Sequence, residues 1–410
     1  VPGAAVPFDS VSRRPAFVSP KEIYPSVSLV KPHGSFETSA GTLGYTLNTT
    51  ILCPVPFFAV RLRMYNANAS ATVGVLAAVA ASANMTGGVQ APTGTPVNIT
   101  VGGSTSITKP AAISGGSGND AVFSEVVTDW AYVTSVDRND GGKGYLLMVR
   151  EYQPAAGNTE ASRSTGLGNT IADVNAYGCA ALAHNGDRVT SWGSWVTAVQ
   201  QVGSAFGVEL LTASGVVNVS AFGDSTVVGQ GGTRNNAGGI VLSAVDRINN
   251  LIHVGYWNYG EAGSQTFTCY TLFKNVAASD LAPTVAVYCP FSPNDTDKYT
   301  RAGTDRQIAT MLAFINDCRK YNITPVLLTP CPENGRSAAD EAFRREVVVA
   351  SKSVAAALNI AVIDRDAIYT DYTNAAGGFK TGTNSDTKHP SPAGYALESA
   401  LWVAALANYR

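Results

Sequence analysis

Charge is scarce in this chain, and the residues that most often hold metals are scarcer still. Asp, Glu, Lys and Arg make up 14% of the 410 residues, with 28 basic against 30 acidic and a formal net charge of −2. No basic stripe or acidic tail stands out, so nucleic acid is excluded as the main partner. No apolar run reaches the roughly 18 residues that a membrane-spanning helix needs. The longest are broken by Gly, Asn or Asp, so the reading is a soluble chain with no membrane span. The six cysteines, Cys53, Cys179, Cys269, Cys289, Cys318 and Cys331, include no Cys-x-x-Cys pair, which speaks against zinc or a redox dithiol. They read as buried small apolar residues, with thiol and disulfide states both open. No cofactor and no metal are expected. An initiator Met is missing too: the chain opens Val1-Pro2-Gly3, which reads as a processed or trimmed product whose absent leader leaves room for a secretion signal. An extracellular, virion or cell-surface setting is the expectation that goes with it.

Gly, Ala, Ser, Thr and Asn are abundant, a balance suited to β-rich surfaces and neutral partners. At this length two domains are the default expectation. Up to about residue 210 the chain shows short β-branched or aromatic runs (residues 57–64, 72–79, 97–101, 131–136 and 145–149), punctuated by turn clusters at residues 139–142 and at Asn185-Gly186. This half, residues 1–210, reads as an all-β accessory domain, a β-sandwich or jelly roll. Trp192 and Trp195 within it read as core residues or as a sugar-stacking surface. From residue 211 to 410 strands alternate with helices, the pattern of a doubly wound parallel sheet. Expected strands are residues 216–222, 252–257, 284–290, 325–329 and 360–363. Thr304 with Gln307 reads as a capping box leading into Ile308, Met311, Leu312 and Ile315. Ser337 reads as the cap of a second helix, with Asp340 in its first turn. Ser391-Pro392 reads as the N-cap and first residue of a last helix through Leu397, Leu401 and Leu406.

Four short blocks fall in one order at the ends of expected strands or the starts of helices. They are Gly223-Asp224-Ser225; Asn258-Tyr259-Gly260-Glu261-Ala262-Gly263; Ser292-Pro293-Asn294-Asp295; and Asp386-Thr387-Lys388-His389-Pro390. A serine at the carboxyl end of a strand in an open α/β sheet lies in the crevice where such folds bind ligands. Acyl transfer from an ester needs a nucleophile, a base, a group to orient the base, and donors where the oxyanion develops. Ser225 is the candidate nucleophile and His389 the candidate base. Asp386, three residues before it, is the candidate partner for the far ring nitrogen. The backbone N–H groups of Ser225 and Gly263 and the side-chain amide of Asn294 are the candidate oxyanion hole.

These blocks resemble the SGNH (GDSL) hydrolase family, named for the Ser, Gly, Asn and His that are here Ser225, Gly263, Asn294 and His389. The resemblance covers roughly residues 214–410. It implies an esterase on a flavodoxin-like α/β domain, a parallel sheet with helices on both faces. The family's third block usually carries Gly two residues before the Asn; this chain has Ser292 followed by Pro293, and Asp295 is expected to anchor the loop rather than react. The favoured substrate is an O-acetylated carbohydrate, or another small ester, positioned by the β half. The alternative is a glycan-binding or structural module of a cell surface or phage tail on a hydrolase scaffold.

Other motifs are weaker. Of the four histidines, His33 lies beside Pro32, His184 precedes a turn, and His253 reads as a strand residue. Asn-x-Ser/Thr triplets at Asn48, Asn68, Asn84, Asn98, Asn218, Asn294 and Asn322 read as chance matches in a chain rich in these residues. Ser117-Gly118-Asn119-Asp120 imitates the third block but precedes the serine. Gly229-Gln230-Gly231-Gly232 lacks the last glycine of a dinucleotide fingerprint. The Asp137-Arg138-Asn139-Asp140-Gly141 stretch would place Met148 where a calcium loop needs Glu, and reads as a hairpin turn.

Overall fold

The computed structural model describes residues 26–30, 36–39, 44–66, 70–86, 89–90, 92–111, 124–154, 160–163, 170–189, 192, 206–213, 215–232, 238–252 and 254–409. Five strands of the second half pair in parallel in the spatial order Val254–Asn258, Val217–Phe222, Val285–Tyr288, Thr324–Leu328, Ala361–Ile363. With the strands numbered along this half of the chain the order is 2-1-3-4-5, the flavodoxin-like arrangement. Their β-branched runs suit burial on both faces, and alternate residues do enter different cores. Val285 and Val287 join one cluster with Ile240, Val241 and Trp402, from the helices Gly239–Asn249 and Pro392–Ala405. Ala286 and Tyr288 join the other with Phe273, Met311 and Phe314, from the helices Thr266–Ala277 and Arg301–Lys320.

The sheet does not stop with these strands. Beyond Val254–Asn258 it continues through Ser26–Val30, Phe206–Thr212, Ala59–Asn66 and Ser124–Val127, making nine strands among the described residues. Ser26–Val30 is the hinge of the arrangement, with a parallel contact to the second half on one side and antiparallel pairing to Phe206–Thr212 on the other. The strand Phe206–Thr212 straddles the expected boundary near residue 210. A second, six-stranded sheet lies wholly in the first half, built on Cys179–Asn185, Tyr45–Cys53, Tyr145–Gln153 and Thr72–Ser82. Ile51, Val75, Val79, Leu147 and Val149 from it share one core cluster with Leu62, Met64, Val208 and Leu210 of the nine-stranded sheet. That same cluster extends to Leu406.

Several local expectations need correction. Residues 131–136 form no strand; only Ala131 pairs, through an isolated bridge to Val60. The helix expected to begin at Thr304 begins earlier, capped by the Thr300 hydroxyl on Gly303 N–H. Ser337 does cap its helix, in a reciprocal box with Asp340. Ser391 caps Pro392–Ala405, but Leu397 is exposed and the buried face is Tyr395, Glu398, Ser399 and Trp402. All six cysteines are buried free thiols. His33, His253, Trp195, Asn68 and the stretch 117–120 lie outside the described residues. Trp192 lies under the Arg150 guanidinium, 4.0 Å from ring centroid to Cζ. Among the described residues no helix is long and apolar enough to cross a membrane.

Candidate active site

The strand Val217–Phe222 has Val254–Asn258 on one side and Val285–Tyr288 on the other, so successive connections leave it in opposite directions. A crevice opens at the carboxyl ends of such strands. Ser225 follows one of them, Gly263 the second and Asn294 the third.

Ser225 is the first residue of a one-turn helix, Ser225–Val228. The turn before it is tight: a Cβ on Gly223 would overlap Cγ2 of Val227. Asp224 caps the turn, its Oδ1 accepting from Thr226 N–H and Thr226 Oγ1, both at 2.8 Å. Burial pushes the Asp224 carboxyl up, against the opposing pull of the Arg365 guanidinium and the Thr226 hydrogen bonds. Arg365 is itself buried and hydrogen-bonds Thr226 Oγ1 (3.0 Å), Thr329 O (3.0 Å) and Cys289 Sγ (3.2 Å). Behind the turn, Asn258 Nδ2 donates to Val227 O at 3.1 Å. The Tyr395 hydroxyl, with one hydrogen to give, lies 3.1 Å from both Thr226 O and Gln230 O.

His389 arrives on the loop before the last helix. Its Nε2 lies 2.8 Å from Ser225 Oγ, and its Nδ1 lies 2.7 Å from Asp386 Oδ2. The Asp386 side chain is 53% exposed and that of His389 12%. Desolvation would raise the Asp386 carboxyl, but hydrogen bonds from the His389 ring and from the backbone N–H groups of Lys388 and His389 hold it below the usual carboxylate range. The loop closes on itself through Ser385 N–H to His389 O (2.9 Å) and an Asn384–Pro390 bridge. Gly231 lies against it at φ +90°, where a Cβ would come 2.6 Å from Pro390 O and 3.1 Å from His389 Cβ.

The second and third blocks are tied to each other. Asp295 accepts from Thr266 N–H (3.0 Å), Thr266 Oγ1 (2.6 Å) and Gln307 Nε2 (2.9 Å). It therefore caps Thr266–Ala277 from outside, since the N-cap residue Gln265 makes no side-chain cap bond. Ser292, where the resembled family carries Gly, uses its hydroxyl to bridge the two loops: it donates to Ser264 O (2.7 Å) and accepts from Asn294 N–H (3.1 Å). Asn294 spends one amide hydrogen on Ser264 O at 3.2 Å, which leaves the other available. The backbone N–H groups of Ser225 and Gly263 find no acceptor among the described residues.

Of the five candidate residues, Ser225, His389 and Asp386 are thus joined by hydrogen bonds, while Gly263 and Asn294 border one cleft with Lys388, the neighbour of His389. Thr226, Asn258, Tyr395, Arg365 and Gly231 were not singled out from the sequence as site residues. Asn258 opens the second block, Thr226 follows Ser225, and Arg365 lies two residues past the strand Ala361–Ile363. Among the described residues no group of His, Cys, Asp or Glu is placed to hold a metal.

Residues 221–397 match the family described as GDSL-like lipase/acylhydrolase. Solved structures similar to this chain include a lipolytic protein of the G-D-S-L family from Desulfitobacterium hafniense, 23% identical with TM-score 0.37, covering 46% of this chain and 99% of that one. A lipase/acylhydrolase from Enterococcus faecalis is 22% identical with TM-score 0.37, covering 47% and 95%. A mutant of an acetyl-xylooligosaccharide esterase from Geobacillus Stearmophilus is 15% identical with TM-score 0.38, covering 47% and 95%. No curated protein matches the chain in sequence.

Proposed function

Residues 221–397 being a GDSL-like lipase/acylhydrolase domain, we propose that the chain hydrolyses carboxylic esters through Ser225. The observation that carries the proposal is the hydrogen-bonded run Ser225–His389–Asp386, with links of 2.8 and 2.7 Å. In this reading Ser225 Oγ attacks the ester carbonyl carbon and His389 Nε2 takes its proton, then returns it to the leaving alcohol. Asp386 keeps the proton on Nδ1 and stabilises the imidazolium that forms. Water then cleaves the acyl-serine by the same route. The N–H groups of Ser225 and Gly263 and the spare amide hydrogen of Asn294 stabilise the oxyanion, each donor contributing on the order of 3 kcal/mol.

The finer reading is removal of O-acetyl groups from a carbohydrate. It is supported by the low charge of the chain as a whole and by the β-rich region of residues 1–210, which we read as a sandwich that positions a glycan. Turnover of p-nitrophenyl acetate tests the reaction class. Ser225→Ala is expected to reduce it by at least about 10⁴-fold with an unchanged far-UV spectrum; equal turnover by the two proteins would remove the proposal. Acetate release from a panel of acetylated glycans tests the finer reading.

A further inference from the structure

A cleft of about 550 Å³ opens beside the candidate oxyanion hole, bounded by Gly263, Asn294, Lys298, Tyr299, Arg336 and Lys388. Its cations and carboxylates are arranged differently. Glu333 is sunk beneath the surface, accepting from Tyr299 Oη at 2.7 Å and from the Arg336 guanidinium, with Lys298 Nζ 3.6 Å away. Asp295 is also buried, its oxygens taken by Thr266 and Gln307. Asp386, at the margin, has both oxygens engaged by the His389 ring and two backbone N–H groups. The cations Arg336 and Lys388 instead lie half-exposed on adjoining loops, joined by Asn334 N–H to Thr387 O at 2.8 Å. Arg336 uses Nε and Nη2 on Glu333; its Nη1 and the Lys388 Nζ find no acceptor among the described residues. The Lys298 ammonium is held below the usual lysine value, by burial first, against the pull of Glu333, and then by repulsion from Arg336 and Lys388. Three cations therefore crowd one wall, two of them with donors to spare.

We propose that this cleft is a subsite for a carboxylate on the alcohol portion of the ester, as on a uronic acid, with Arg336 Nη1 and Lys388 Nζ as its donors. The inference rests on the ester-hydrolase reading for the position of the scissile bond. Lys388 directly precedes His389, and Gly263 and Asn294 border the same cleft, so an anionic group held there is a close neighbour of the acyl group being removed. The near-neutral composition of the whole chain does not reveal this, because a few local donors decide what one subsite accepts.

The test uses two ligands that differ only in the carboxylate, mono-O-acetylated methyl glucuronoside and mono-O-acetylated methyl glucoside. Calorimetric titration into the Ser225→Ala protein reads binding without turnover. The uronoside is expected to bind about tenfold more tightly, as a charge-assisted hydrogen bond provides. Adding Lys388→Met is expected to bring the two affinities within about twofold, and Lys388→Arg to restore most of the preference. Equal binding of the two ligands by Ser225→Ala, or a preference that survives Lys388→Met, overturns the subsite. Acetate release by the wild-type protein separates this from the hydrolase reading. Preferential uronoside binding without any acetate release keeps the subsite and removes the reaction.

Discussion

The two sides of the candidate site are held in opposite ways. Ser225, 4% exposed, stands on a turn clamped from below by Asp224, Thr226, Arg365, Asn258 and Tyr395, contributions from four separate stretches of the chain. His389 stands on a surface loop whose hydrogen bonds are mostly its own: Asp386 to the ring and two backbone N–H groups, Ser385 to His389 O. Ser225, built into the core, is fixed when the protein folds. His389, on a self-closed loop, depends on local contacts and on whatever packs against that loop, here Gly231. The nucleophile side should therefore fail by unfolding, and the base side by misalignment within an intact fold.

The largest expected effect tests the nucleophile side. Burial opposes the Arg365 charge, but acidic groups around it, Glu398 and Asp224 among them, favour it, and the guanidinium is held well above its usual value. Burial raises both Asp224 and Glu398, and Arg365 eases both. Arg365→Met leaves two buried carboxyls without their cation, a loss on the order of 3 kcal/mol. Thermal melting should fall by several degrees or more; an unchanged melting temperature would show that the cluster does not support the turn.

Gly231→Ala tests the base side. The substitution places a methyl group against Pro390 O and His389 Cβ on a left-handed backbone. Displacement of the imidazole by a fraction of an ångström is expected to cost roughly ten- to a hundredfold in kcat, with melting changed by far less than in Arg365→Met. A drop in stability as large as that of Arg365→Met, or full activity, would erase the contrast between the two sides.

The smallest effect is a pH dependence of the loop. Asp386 has a depressed carboxyl in the folded protein, so its contribution to stability is present above the unfolded carboxylate value of about 3.9 and is lost as pH falls through the lower folded value. The difference in melting temperature between wild type and Asp386→Asn should therefore not shrink between neutral pH and about pH 4.5, and should close below that range. A gap that closes on going from about pH 7 to pH 6 would show that another group controls the loop.

Much of the parallel half is legible because its signals are local. β-branched runs between helical periods mark the five strands, and hydroxyl caps mark the helices at Ser337 and Ser391. Ser225, Gly263 and Asn294 stand after strand ends and His389 just before the last helix, positions that are legible locally. What stayed hidden depends on distant chain. The hydroxyl of Ser292 makes sense only beside Ser264, and Gly231 only against the His389 loop. Thr304 and Gln307 resemble a cap in sequence, yet Gln307 is committed to Asp295 and the helix starts at Thr300. Leu397 yields the inner face of the last helix to Tyr395 and Trp402 because their polar atoms have partners there, Thr226 O and Glu398. The joining of both halves in one sheet through Ser26–Val30 has no local signature, since strand pairing partners are chosen by register and packing across the molecule.

In the proposed chemistry His389 activates Ser225 for attack on a carbonyl carbon. Reaction with a fluorophosphonate followed by peptide mass spectrometry reads that activation at the residue itself. A single labelled residue, Ser225, is expected, with labelling slowed by at least about a hundredfold in His389→Ala. Labelling of another serine with ester hydrolysis intact, or equal labelling of Ser225 with and without His389, would contradict it.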